Sequence, residues 1–223
     1  MEIDTKRTIY TESCFETFKK LQDKYIDVVF TSPPYNRKRN DKYLLYDDRI
    51  EDYSKFLITI IKESIRVSSY FAAVNLQMNH YNRKEVLGVI GWFSDKITET
   101  IIWEKSNPMP ARGLAVTNAY EIILIFSKER IKANKPYTKN HITTSVNSKM
   151  PKNHKAVMHI DLAYWFINSF VKKWQTVYDP FLGVGTTGAA CNMNGINWFG
   201  SEIIGEYAWN AHTLTGATLK GIK

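Results

Sequence analysis

Cysteine is scarce in this chain, and long hydrophobic runs are absent. The 223 residues include two cysteines, Cys14 and Cys191, which are too few for a disulfide framework and fit a reducing compartment. The longest apolar stretch, near residues 120–126, is too short to cross a bilayer. Residues 1–7 lack the apolar core of a secretory signal. We therefore expect a soluble protein located in the cytoplasm.

Paired metal-ligand spacing is missing, and acidic residues are in the minority. His154 and His159 are five residues apart, which does not align them on one helical face, so we expect no metal site. The 30 Lys and Arg residues exceed the 22 Asp and Glu residues, for a formal net charge of +8. This surplus favours a polyanionic partner, because basic side chains release counterions from phosphates. Charge alone does not distinguish DNA from RNA.

The hydrophobic pattern alternates between β-prone runs and helical periodicity. From Tyr53, apolar residues recur as they do on the buried face of an amphipathic helix. Further helices are predicted at residues 84–93 and 160–171. Strands are predicted at residues 26–30, 70–76, 97–103, 120–126, 175–178 and 198–203. This alternation indicates a layered α/β fold with helices on both faces of a sheet, and the length suffices for one domain.

Residues 128–155 interrupt this alternation. The segment is polar, and its eight basic residues against a single acid, Glu129, give a net charge of +7. We interpret it as a basic surface excursion from the sheet.

A glycine-rich stretch follows the predicted strand at residues 175–178 and runs into a helix of small residues. Such a turn lets a ligand approach the backbone at the carboxyl edge of a sheet, beside a helix N-terminus. Glu202, which ends a later strand, can accept hydrogen bonds from ribose hydroxyls. Residues 183–188 also match the G-x-G-x-x-G pattern of dinucleotide sites. However, 35 residues follow Gly188, whereas a full dinucleotide fold needs roughly a hundred.

Two adjacent prolines follow the predicted strand at residues 26–30. Pro33 and Pro34 fix φ and remove two N–H donors, so carbonyls and the Ser32 hydroxyl point outward beside Tyr35. Ser32 and the Pro33 carbonyl can accept both hydrogens of an aromatic amine, and Tyr35 can stack on its ring. Drawing the amine toward tetrahedral geometry would restore its lone pair for direct attack on a methyl group. The alternative is a purely structural Pro-Pro turn.

Several segments, taken in order, resemble the motifs of β-group S-adenosylmethionine-dependent DNA amino-methyltransferases. Residues 26–36 are similar to the family's catalytic strand and S/D/N-P-P-Y loop. Residues 103–110 resemble its W-x-K-x-N-P-x-P stretch, and residues 121–128 match the strand that follows. Residues 179–187 resemble the D-P-F-x-G-x-G-T-T cofactor motif, and residues 200–203 resemble the G-x-E-I segment. The shared order makes coincidence a poor explanation.

The resemblance implies a mostly parallel, seven-stranded, Rossmann-like sheet with helices on both faces, forming a single catalytic domain at residues 1–223. It implies S-adenosylmethionine as the cofactor. The implied catalytic residues are Ser32, Pro33, Pro34 and Tyr35. The implied cofactor-binding residues are Asp179, Pro180, Phe181, Gly183, Gly185, Thr186, Thr187, Glu202 and Ser13. The family often has Gly-Asp near Ser13, close to the adenine, so Ser13 or Glu12 would supply that contact here.

A base inside a duplex cannot present its amino group, so the resemblance implies base flipping, which costs about a few kcal/mol. Ser32 in place of Asp favours cytosine N4, with adenine N6 as the alternative. The expected partner is double-stranded DNA, with a cognate restriction endonuclease, a second methyltransferase subunit and a homodimer left open. The segment 128–155 lies where family members insert their recognition region. Candidate nucleic-acid contacts are Arg37, Lys38, Arg39, Lys132, Lys135 and Lys139.

Functions of other classes stay open at this stage. They are a non-catalytic nucleic-acid-binding module of the same fold, an RNA or small-molecule methyltransferase, and an NAD-dependent oxidoreductase. Degenerate members of the family usually lose the P-P-Y motif or the glycines, and this sequence keeps both.

Overall fold

Mostly parallel strands form the sheet of the computed structural model, which describes residues 3–37, 48–111, 113, 115–145 and 157–221. Within these residues the helices are α1 (Cys14–Lys20), α2 (Tyr53–Val67), α3 (Arg83–Trp92), α4 (Ile160–Phe170), α5 (Thr186–Asn194) and α6 (Gly205–Thr215). The strands are β1 (Thr8–Tyr10), β2 (Ile26–Thr31), β3 (Ser68–Leu76), β4 (Ile97–Lys105), β5 (Tyr120–Ser127), β6 (His141–Thr144), β7 (Thr176–Asp179), β8 (Asn197–Ser201) and β9 (Thr218–Lys220).

The strand order in this sheet is β6-β4-β5-β3-β2-β7-β8-β1-β9. β5 runs antiparallel to both of its neighbours, β3 and β4, whereas the other pairs in the described residues are parallel. The carboxyl ends of β2, β3, β4, β7 and β8 therefore lie at one edge, together with the amino end of β5. We call this the carboxyl edge, and the opposite one the amino edge.

Helices cover both faces of the sheet, as the sequence predicts. One hydrophobic cluster joins β2 and its neighbours to side chains of α4, α5 and α6. The cluster on the other face contains buried side chains of α1, α2 and α3. The alternating apolar pattern of the strands is consistent with this arrangement, because successive side chains point to opposite faces. None of the helices in the described part of the chain is long and apolar enough to span a membrane.

The predicted fold class is confirmed, but the predicted number of seven strands is wrong. The described residues form nine strands, and the two outermost, β6 and β9, have four and three residues. Strands this short carry no measurable periodicity in the sequence. β6 also corrects the interpretation of residues 128–155 as an excursion from the sheet, because its residues pair with β4.

Candidate active site

A cavity of about 340 Å³ lies at the carboxyl edge, in the size range of small-molecule sites. Its wall combines the segments that follow β2, β7 and β8, so the predicted catalytic and cofactor motifs face the same space. The predicted site residues in the wall are Ser13, Ser32, Pro33, Pro34, Tyr35, Arg37, Asp179, Pro180, Phe181, Gly183, Thr186, Thr187 and Glu202.

Gly185 is the one predicted cofactor residue outside this wall, and it has a packing role. It is the N-cap of α5, with φ of 91°, a backbone conformation that side chains with a Cβ rarely adopt. A Cβ here would lie 2.9 Å from the Cβ of Ala211. Glycine is therefore required for α5 to begin this close to α6.

The loop after β2 is held by hydrogen bonds to its backbone carbonyls. The Tyr53 hydroxyl donates to the Pro34 carbonyl at 2.7 Å, and Asn82 Nδ2 donates to the Tyr35 carbonyl at 2.7 Å. The Pro33 carbonyl has no hydrogen-bond partner among the described residues. Pro33 and Ser32 both line the cavity.

Ser32 and Tyr35 belong to a buried polar cluster that we call the Glu121 cluster, with Asn75, Gln77, Lys105 and Glu121. Ser32 Oγ lies 2.6 Å from the Tyr35 hydroxyl, which donates to Glu121 Oε2 at 2.8 Å. Four consecutive strands build the cluster, because the loop after β2 lies beside β3, then β5, then β4. Asn75, Gln77, Lys105 and Glu121 are not among the site residues that the sequence predicts.

Two of the missed residues lie inside segments already matched to the family. Lys105 is in the W-x-K-x-N-P-x-P stretch, and Glu121 is the second residue of β5, the strand that follows. Lys105 Nζ lies 2.6 Å from Glu121 Oε1, and both side chains are largely buried. A charged residue near the start of an otherwise apolar strand was a usable signal. Charged side chains are almost never fully buried unless they are paired, so such a residue indicates a partner elsewhere in the fold.

Tyr35 is buried, with 9 % of its surface exposed. Burial and the neighbouring Glu121 carboxylate raise the pKa of its hydroxyl well above the usual 10. The hydroxyl therefore keeps its hydrogen at neutral pH and acts as a donor to Glu121.

Asp179 ties the cofactor half of the site to the catalytic strand. Thr31, the last residue of β2, donates to Asp179 Oδ1 at 2.7 Å, and the backbone N–H of Phe181 donates to the same oxygen at 3.0 Å. A hydrogen bond from Thr187 completes the set. Burial raises the pKa of this carboxyl to about 6, against the effect of these three donors.

Glu202 lies after β8 and faces the cavity. The N–H groups of Gly183 and Ile204 donate to its two oxygens at 2.9 and 2.8 Å. Burial raises the pKa of this carboxyl to about 7. A carboxylate in this position gains from further hydrogen-bond donors supplied by a ligand, because they favour its ionised form.

Ser13 and Glu12, the two candidates for the adenine contact, have different surroundings. Ser13 lines the cavity and caps α1, with its Oγ 3.4 Å from the N–H of Phe15. Glu12 bonds to Lys20 and Thr17, and it is not part of the cavity wall. The geometry therefore brings Ser13, and not Glu12, to the site.

The two cysteines are buried thiols. Burial raises the pKa of Cys14 to about 12 and that of Cys191 well above its ordinary value of 9. Neither forms a thiolate near neutral pH, so neither provides a nucleophile.

The predicted nucleic-acid residues that the structure describes do not gather at one place. Arg37 lines the cavity, and its backbone N–H donates to Asp48 at 2.9 Å. Lys132 and Lys135 lie toward the amino edge: the Lys132 N–H bonds the hydroxyl of Tyr70, near the start of β3. Lys139 precedes β6 by two residues. The remaining two, Lys38 and Arg39, lie outside the described residues.

The fold and the cavity define a doubly wound α/β protein whose ligand site is built from two separate motifs. A family model described as DNA methylase, for N6 and N4 methyltransferases, matches residues 26–212. The chain therefore belongs to this DNA methylase family, as its motifs predict.

Two curated relatives illustrate the family. The Type II methyltransferase M.HinfI of Haemophilus influenzae is 27 % identical over 89 % of this chain and 65 % of its own length. The Type II methyltransferase M.MwoI of Methanothermobacter wolfeii is 31 % identical over 78 % of this chain. The chain covers 28 % of the length of M.MwoI, so both relatives contain sequence beyond the shared part.

Solved structures share the fold. The PvuII DNA methyltransferase, described as cytosine-N4-specific, aligns with a TM-score of 0.77 at 18 % identity and covers 96 % of this chain and 95 % of its own. The M1.HpyAVI-SAM complex aligns with a TM-score of 0.70 at 22 % identity, over 93 % of this chain and 98 % of its own.

Proposed function

We propose that this chain is a DNA methyltransferase that transfers the methyl group of S-adenosylmethionine to the exocyclic amino group of a flipped base. The observation that best supports this function is the shared wall of the cavity, where the loop from Ser32 to Tyr35 faces Asp179 and Glu202. Membership in the DNA methylase family supports the same reaction. The catalytic domain proposed here comprises residues 1–223.

The cofactor half of the cavity suits an adenosine. Apolar side chains of Phe181, Leu182 and Ile203 line the cavity together with the carboxylate of Glu202, which matches a flat ring attached to a ribose with two hydroxyl donors. In this proposal Glu202 binds the ribose and Ser13 lies near the adenine. The remaining wall residues of this half are Asp179, Pro180, Gly183, Thr186 and Thr187, with Gly185 setting the turn. When bound, S-adenosylmethionine supplies an electrophilic methyl group.

The catalytic half suits an aromatic amine. Ser32 Oγ and the Pro33 carbonyl accept its two hydrogens, and the ring of Tyr35 contacts the base. Because the Pro34 carbonyl already accepts the Tyr53 hydroxyl, Pro34 contributes rigidity to the loop. Hydrogen bonds from the amine to fixed acceptors keep its lone pair directed at the methyl group, which lowers the barrier by orientation and electrostatics.

Cytosine N4 is the favoured target and adenine N6 the alternative. Ser32 favours cytosine by the family resemblance, and the structurally similar PvuII enzyme is described as cytosine-N4-specific. The proposed substrate is double-stranded DNA, contacted by Arg37, Lys38 and Arg39 around the flipped nucleotide and by Lys132, Lys135 and Lys139 further away. A cognate endonuclease, a second subunit and a homodimer stay hypotheses. The proposed DNA substrate and the two buried free thiols, Cys14 and Cys191, are both consistent with a protein located in the cytoplasm.

Labelling of DNA tests the proposal. We expect the protein to transfer tritium from methyl-labelled S-adenosylmethionine to unmethylated genomic DNA, and nucleoside mass spectrometry to detect N4-methylcytosine. Detection of N6-methyladenine alone would reverse the choice of base and leave the reaction class intact. In parallel calorimetric titrations, binding of NAD without binding of S-adenosylmethionine would refute the methyltransferase function.

A further inference from the structure

Glu121 receives hydrogen bonds from four donors in the Glu121 cluster. Its Oε2 accepts from the Tyr35 hydroxyl at 2.8 Å and from Asn75 Nδ2 at 2.7 Å. Its Oε1 accepts from Lys105 Nζ at 2.6 Å and from Gln77 Nε2 at 3.1 Å. Only 4 % of Glu121 is exposed, so these donors replace the water that an ionised carboxylate would otherwise bind. A carboxylate has no hydrogen, and the direction of all four bonds is therefore determined.

The direction of one bond determines the next. Tyr35 has a single hydroxyl hydrogen, and it is donated to Glu121. Only lone pairs remain on the Tyr35 oxygen for Ser32, whose Oγ lies 2.6 Å away. Ser32 must therefore donate its own hydrogen to Tyr35. Its oxygen keeps lone pairs, and Ser32 lines the cavity.

The side-chain amide of Asn75 also bonds the Glu121 carboxylate. Its Nδ2 lies 2.7 Å from Glu121, 2.9 Å from the Tyr35 hydroxyl and 3.3 Å from Ser32 Oγ. Its Oδ1 is buried without a hydrogen-bond partner among the described residues. Leaving a buried oxygen unpaired is energetically unfavourable. Rotating the amide would place this oxygen against the carboxylate, so Glu121 determines the orientation of Asn75 as well.

We propose that Glu121 is a positioning residue that acts through Tyr35 to hold Ser32 as a hydrogen-bond acceptor for the amino group of the target base. This inference rests on the proposed function and deepens it. An acceptor at Ser32 favours a base with an amino group and disfavours one with a carbonyl oxygen in the same place. Lys105 supports this arrangement by pairing with the carboxylate. Each bond in the series also polarises the next one.

The Glu121→Gln variant tests the direction of the bonds. Its amide group can donate to Tyr35, whose hydrogen then turns to Ser32, and the hydrogen of Ser32 then faces the cavity. We expect kcat for methylation of unmethylated plasmid DNA to fall by about ten- to a hundredfold, the effect of losing one strong hydrogen bond to the reacting group. We expect KM for S-adenosylmethionine to stay within about twofold, because Glu121 is not among the residues that line the cavity.

Glu104→Gln is the matched control. Glu104 is on β4, its side chain is 48 % exposed, and it bonds His141 and Thr143. The chemical change is the same, and we expect kcat to be unchanged. The proposal would be overturned if Glu121→Gln lowered kcat, raised KM for S-adenosylmethionine and lowered the melting temperature together. That result would show a structural role for Glu121.

A second variant keeps the test valid if Glu121→Gln does not fold. Tyr35→Phe retains the ring and the pair of Lys105 with Glu121 but removes the hydroxyl that links Glu121 to Ser32. We expect a fall in kcat similar to that of Glu121→Gln, and no further fall when the two changes are combined. Additive losses, or a Tyr35→Phe variant with wild-type kcat, would overturn the proposal. Failure of the wild-type protein to methylate DNA would instead refute the proposed function itself.

Discussion

The protonation of Glu202 leads to a prediction with a calculable magnitude. Burial raises the pKa of this carboxyl from 4.5 to about 7 in the folded protein. A group whose pKa is raised by folding stabilises the protein below its unfolded pKa, and this stabilisation is lost as the pH rises through the folded pKa. Between about pH 5.5 and about pH 8 the loss is about 2 kcal/mol in the free energy of unfolding.

Glu202→Gln removes this titration. The amide cannot accept from both Gly183 and Ile204, so we expect the variant to be less stable by about 1–3 kcal/mol in the acidic range. We expect the difference in the free energy of unfolding between the wild type and the variant to narrow by about 2 kcal/mol toward about pH 8, because only the wild type loses stability as the pH rises. Urea unfolding of both proteins at about pH 5.5 and at about pH 8 measures this difference in the free energy of unfolding. Asp179, whose pKa is also raised, titrates in both proteins and largely cancels from the comparison.

The same titration affects cofactor binding. If ribose hydroxyls donate to the ionised carboxylate, the dissociation constant of S-adenosylmethionine should be about tenfold larger at about pH 6 than at about pH 8, because only a small fraction of Glu202 is ionised at the lower pH. Calorimetry at both pH values measures the ratio, and Glu202→Gln should abolish it. A wild-type affinity that is independent of pH, or a variant that retains the tenfold ratio, would refute this reasoning.

Three further changes test other parts of the site. Tyr35→Ala should lower kcat while leaving the dissociation constant of S-adenosylmethionine unchanged, and an equal loss of both would indicate a structural role. Gly188→Ala should lower the melting temperature, because its Cβ would lie 2.5 Å from the ring of Trp198 and overpacking costs about 1–3 kcal/mol; an unchanged melting temperature would contradict this packing. Replacing Lys132 and Lys135 together by Ala should reduce the salt dependence of DNA binding by about 0.9 in slope for each phosphate that these side chains neutralise, and an unchanged slope would remove them from the DNA surface.

The local elements at the site could be predicted from the sequence. The helix that was predicted to begin at Tyr53 does begin there. It was predictable because the repeat of its apolar residues lies within one stretch of the sequence. The strand, glycine turn and helix around Gly185 were also predictable, because a close backbone approach requires a residue without a side chain. The order of the motifs along the chain indicated the family, which the family model confirms.

The Glu121 cluster could not be predicted in the same way. Its members come from segments up to 89 residues apart, from Ser32 to Glu121, and they meet because β2, β3, β5 and β4 are neighbours in that order. No local pattern contains the order or the register of strands. The location of Lys132 toward the amino edge could not be predicted for the same reason, because it depends on the path of the chain after β5.

The sequence by itself therefore determined the α/β class, the two motifs and the family, because periodicity, prolines and glycines act within a few residues of one another. The tertiary structure decided which side chains face one another across strands, and with that the hydrogen-bond direction at Ser32 and the raised pKa of Glu202. Hydrogen-bond partners and exclusion of water are properties of the assembled sheet, since both depend on groups that are distant along the chain.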